Sequence, residues 1–210
     1  MLKNVRLGDR ELIVLLTLGI VLLGGLALWL FFSSRMPADH SAEAGFARDM
    51  SVHHAQAVEM AELLRDRTQS EEMRTLAADM ALTQQGQIGQ MEGWLAIWGL
   101  PNTGSEPAMS WMGEPTSKQM PGMATPEQIN ELSQASGEDA DERFLQLMIP
   151  HHQAAIPMSE AILERTDRPE VKTLANAIIS SQQAEIQMMQ DKLESMGASL
   201  PEEPNMDMNM

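Results

Sequence analysis

Residues 50–60 read "MSVHHAQAVEM" and residues 148–158 read "MIPHHQAAIPM". In each, a pair of adjacent histidines stands between two methionines, in a chain with five histidines in all. The coincidence is not local. Shifted by 98 residues, 46–99 falls on 144–197 without a gap, and 19 of 54 positions are identical. They include Phe46/Phe144, both histidine pairs, Arg67/Arg165, Gln84/Gln182, Gln85/Gln183 and Met91/Met189. This is an internal duplication, and it fixes the unit from which the fold is built.

Each copy reads as two helices. The first runs from about Ala42 to Leu64, and from about Ala140 to Leu163 in the second copy. Breaks follow at "DRTQS" and "ERTDRP", where Ser70 suits an N-cap and Pro169 the first turn of a helix. The second helices run to Gly99 and Gly197, both placed as C-terminal caps. Leu76, Met80, Ile88, Met91 and Leu95 form an apolar stripe at helical spacing. Two hairpins with one apolar face each bury those faces by packing together, so an all-α four-helix bundle is expected over 41–198. Between the repeats lies a linker, 100–138, rich in Gly, Pro and Met. Its "TPEQ" at 125–128 is a capping box that predicts a short helix over 126–135. The linker's Met109, Met112, Met120 and Met123 are expected to be exposed and flexible. The same holds for Met206, Met208 and Met210 of the tail, 199–210, which is expected to be disordered.

The first 40 residues have another character. Residues 12–32, "LIVLLTLGIVLLGGLALWLFF", form 21 uncharged residues, enough for a helix to cross the roughly 30 Å hydrocarbon core. The run exceeds a typical signal-peptide core, and no A-x-A cleavage site follows it. An uncleaved transmembrane anchor is expected, with a cleaved signal peptide as the alternative. Lys3, Arg6 and Arg10 precede the run, so residues 1–11 are placed in the cytoplasm and the rest of the chain outside it. Beyond residue 35 there are 10 basic and 28 acidic residues. That surface disfavours nucleic acid and gathers cations.

A helix advances about 100° per residue, so Met50, His53, His54 and Met60 share one face, kept open by small Ala57. Met148, His151, His152 and Met158 repeat the arrangement around Ala155. Adjacent histidines diverge by about 100°, so one pair is poorly placed to chelate an ion by itself. Each histidine needs a methionine of its own helix or the other hairpin. Cysteine is absent and methionine abundant, at 19 residues. Imidazole with thioether, and no thiolate, selects soft ions, chiefly Cu(I) and its larger analogue Ag(I). These eight residues are the expected metal ligands, with Cu(I) favoured. The Glu-x-x-His pairs of di-iron bundles are missing, as are a nucleophilic triad, a phosphate loop and a dinucleotide fingerprint. The expectation is therefore a binding protein and not an enzyme. The rivals are a ferritin-like metal-dependent oxidoreductase and a metal-free helical interaction module. Pro150 and Pro157 fall inside the third bundle helix, which predicts a kink beside His151 and inequivalent cassettes.

"GFARDMSVHHAQAVEMA" and "MPGMATPEQ…FLQLMIPHHQAAIPM" resemble the CopM-like bacterial family long treated as a domain of unknown function. The resemblance covers about residues 41–197. It implies a ferritin-like four-helix bundle, exported from the cytoplasm, that binds copper through methionine and histidine. Residue by residue it points to the same eight side chains. It leaves any copper-delivery partner unidentified.

Overall fold

The structure is a computed structural model and describes residues 8–33 and 36–201. The methionines of the tail at 206, 208 and 210, and the basic residues Lys3, Arg6 and Arg35, lie outside the described residues. The chain divides into two units, Met1–Pro37 and Ala38–Met210. The first contains one helix, α1 (Asp9–Ser33). Its stretch Arg10–Leu30 is long and apolar enough to cross a membrane, a property that anchors share with signal sequences.

The second unit is the bundle. Its helices are α2 (Ala42–Arg67), α3 (Glu71–Trp98), α4 (Pro126–Gln134), α5 (Glu138–Arg165) and α6 (Pro169–Ser195). Their ends follow from the local sequence. Ser41 caps α2 and Ser70 caps α3, each accepting from the amide three residues on. Pro169 opens α6, and Gly99, at φ +71°, ends α3 in the left-handed conformation. The capping box at Thr125 and Gln128 closes in both directions, as "TPEQ" predicts. α2 and α5 each continue two or three residues past their expected ends. They stop only at Thr68 and Thr166, whose extended backbone breaks the helix. α5 runs through both prolines without interruption.

The hairpins α2–α3 and α5–α6 pack against each other through α2 and α5. Those two helices run antiparallel. Phe46 and Met50 near the start of α2 share an apolar cluster with Met158 and Ile162 near the end of α5. Met60 and Leu64 share a second cluster with Phe144, Leu145 and Met148. The fold is therefore the all-α four-helix bundle that the duplicated hairpin predicts.

The linker departs from expectation. Met109 and Met120 are buried in the first cluster, with Met112 and Met123 packed at its edge. Gly and Pro suggest a loose segment, but here they build a strap that is tied down by specific contacts. The Asp49 carboxylate accepts from the Met109 amide at 2.7 Å and from the Trp111 indole at 2.9 Å. Gln56 and Ala124 exchange a pair of hydrogen bonds, at 2.8 and 2.7 Å. Thioethers at such places fill gaps between strap and helices.

Gly122 closes the strap onto α5. Its φ is +73°, and a Cβ there would stand 2.5 Å from the Pro150 carbonyl oxygen and 2.6 Å from the Ala154 Cβ. Backbone cannot swing aside as a side chain does. Gly122→Ala is expected to cost about 2–3 kcal/mol from left-handed strain and displacement together. That corresponds to a fall of roughly 5 °C or more in melting temperature. Calorimetry on the two proteins reads it directly, and equal melting temperatures would show that the strap stands off the helix.

Candidate metal centre

Between the two apolar clusters lies a polar layer. His53 and His54 from α2, His151 and His152 from α5, Gln84 from α3 and Gln182 from α6 compose it, none more than 2% exposed. The duplication explains the composition, since the histidines and the glutamines are repeat equivalents. Antiparallel packing of α2 on α5 brings the two cassettes face to face. The His53 and His151 rings meet with centroids 3.8 Å apart, tilted by 38°. The four methionines flank the layer in two pairs. Met60 and Met148 lie in one apolar cluster, Met50 and Met158 in the other, all within 1% of complete burial. The structure thus gathers the four histidines in one layer and sets the methionines on either side of it.

Hydrogen bonds set the tautomers. His53 Nε2 lies 3.2 Å from the Pro121 carbonyl oxygen, and a carbonyl only accepts, so Nε2 carries the proton. His152 Nε2 likewise donates to Glu185 Oε2 at 2.7 Å, and His54 Nε2 donates to Gln87 Oε1 at 2.7 Å. In all three rings Nδ1 is then the bare nitrogen, and in all three it is buried with no hydrogen-bond partner among the described residues. Both nitrogens of His151 and both amide atoms of Gln84 and of Gln182 are also unpartnered.

Burial also keeps the rings of His53, His54 and His151 neutral. It pushes His53 down to about 4, against the opposing Pro121 bond, and it pushes His54 down to about 3, with His53 adding repulsion. His151 is driven well below its ordinary value by burial first and by the neighbouring histidines second. At neutral pH each of these three therefore offers a lone pair.

An unmet buried polar atom costs about 1–3 kcal/mol, and native interiors seldom tolerate several in one layer. A metal ion would meet the bare imidazole nitrogens directly. The residues fit one kind of ion better than others. Among the described residues no three His, Asp or Glu side chains converge so as to hold one ion. An ion here would draw on thioether sulfur as well as imidazole, which is the donor set of a soft monovalent metal.

Three partners of the layer escape a reading of identities alone. Gln87 and Glu185 are the same repeat position, 98 residues apart, yet they differ in type and so leave no trace among the identical pairs. Their signal was the alignment itself, read at the positions opposite the histidines. Pro121 contributes only a carbonyl, for which no side chain gives warning.

Residues 43–193 match the family model described as "Domain of unknown function (DUF305)". A crystal structure from Streptomyces coelicolor, of a DUF305 protein named as a candidate secreted one, is 47% identical. It covers 78% of this chain and 98% of that one, with a TM-score of 0.74. CopM, solved in a Cu(I)-bound form, is 28% identical over 74% of this chain and 97% of its own, with a TM-score of 0.56. CopM has also been solved with Cu(II) and with Ag. An uncharacterized protein of Acanthamoeba polyphaga mimivirus is 50% identical over 54 residues, which are 26% of this chain. The match spans only 36% of that relative's length.

Proposed function

The chain belongs to the DUF305 family, and from that premise we propose that it binds copper in the histidine layer, preferring Cu(I) and accepting Ag(I). The observation that carries the reading is the set of buried imidazoles with protonated Nε2 and bare, unpartnered Nδ1, flanked by buried thioethers. CopM, of like fold and bound to Cu(I), Cu(II) and Ag, supports it. The ligands proposed are His53, His54, His151 and His152, with Met50, Met60, Met148 and Met158. A bound metal would supply a soft Lewis acid to this layer. The residues' part is to bind it and exclude water from it.

α1 is proposed to remain as a single-pass anchor that holds the bundle on the extracytoplasmic face of the cell membrane. There the protein would buffer copper or pass it on, without turning over a substrate. The test is an anaerobic Cu(I) titration of the full chain in detergent micelles against a chromophoric chelator. Competition for the metal is the expected result. A chain that takes neither Cu(I) nor Ag(I) from the chelator would be a metal-free interaction module instead. Turnover of dioxygen or peroxide by a loaded chain would make it an oxidoreductase.

A further inference from the structure

The two repeats place the same contact on the layer from opposite sides, but with different charge. His54 donates to the neutral amide of Gln87, and His152 to the carboxylate of Glu185, each at 2.7 Å. The geometry is matched, so the difference is electrostatic. Of the carboxylates among the described residues, Glu185 is the one hydrogen-bonded to a histidine of the layer. The rest of the layer consists of imidazoles, amides and thioethers.

A cation that leaves water for a site of neutral donors keeps an uncompensated charge in a poorly polarisable interior, which is costly. One adjoining carboxylate balances the whole charge of a monovalent ion and only half the charge of a divalent one, which stays net positive. A carboxylate on the far nitrogen of a metal-binding histidine also makes that ring a stronger donor. Glu185 has a second distinction. While His152 is fully buried, the Glu185 side chain is 20% exposed. It lines the open groove between α3 and α6 together with Glu71, Glu72, Asp79 and Asp191. It therefore joins this groove, in which carboxylates outnumber the single cation Lys192, to the buried layer.

Resting on the copper reading above, we propose that Glu185 is the charge-compensating residue of the metal layer, and that its single carboxylate matches the layer to one monovalent soft cation. It is a positioning residue that acts through His152.

The sequence itself provides the control. Glu185→Gln recreates the arrangement already present at Gln87, so fold and hydrogen bond survive while the charge is lost. In the metal-free full chain, the melting temperature and the helix content by circular dichroism should match wild type. Affinity for Ag(I), measured by competition, should fall about 10–100-fold. The double variant Q87E/E185Q moves the carboxylate to the other repeat and should recover wild-type affinity. Unchanged Ag(I) affinity in E185Q would overturn the proposal and leave Glu185 as a ring orienter. A lowered melting temperature, or no recovery in the double variant, would likewise show that position and not charge was lost. A wild-type chain that binds no Ag(I) would instead remove the copper reading itself.

Discussion

Taken from pH 7 to pH 4, the metal-free bundle is expected to lose several kcal/mol of stability, enough to unfold it. The sign follows from where the protons go. In the unfolded chain His53, His54 and His151 take up protons near pH 6.5. In the fold, burial holds His53 to about 4 and His54 to about 3, with His151 also well below the ordinary value. Between those values and 6.5 the unfolded state binds more protons, so stability falls as the pH falls. It is complete above about pH 6.5 and is lost progressively toward the folded values. His53 and His54 each contribute on the order of a few kcal/mol, a large share of the roughly 5–15 kcal/mol of a whole domain, and His151 acts in the same direction. Thermal melts of the metal-free chain at half-unit steps of pH would show it. Cu(I) bound as proposed would compete with protons for the same nitrogens and should move the loss to lower pH. A melting temperature that stays flat between pH 7 and pH 4 would mean the rings are hydrated and not buried.

Changing Met50, Met60, Met148 and Met158 together to leucine should weaken Cu(I) binding by more than the 10–100-fold that loss of an outer-shell partner costs. Sulfur is the soft donor, and leucine preserves volume while removing it. The four side chains are buried and flank the histidine layer. Each exchange costs under about 1.5 kcal/mol, so the variant should stay folded at neutral pH. A chelator competition on both proteins, with circular dichroism to verify helix content, separates lost ligands from lost fold. If the folded variant held Cu(I) as tightly as wild type, the methionines would be packing alone and histidine would carry the site.

The bundle was legible because its signals are redundant. Identical residues at a constant offset of 98, the cap at Ser70, and Pro169 at a first turn all specify the same hairpins. The polar layer was legible for the same reason, since His and Gln recur in both copies. The strap was not. Its Gly and Pro carry the statistics of a loose loop, and what fixes it is a tertiary contact from Asp49, a residue whose repeat equivalent is Leu147. Glu185 was hidden for the opposite reason. Repetition draws the eye to what two copies share, and this position matters for what they do not share.

The stacked rings of His53 and His151 say something about how such a protein could arise. The contact lies on the pseudo-twofold axis between hairpins, so a single hairpin carries only half of the layer. A half-length forerunner would have completed it as a homodimer, with an isologous interface and its histidines meeting on the symmetry axis. Occupancy of such a dimer depends on protein concentration, which would be a poor property for the proposed capture of scarce ions. Joining the copies through the strap makes the encounter intramolecular. It also frees the two halves to diverge, which no symmetric dimer of one gene product can do.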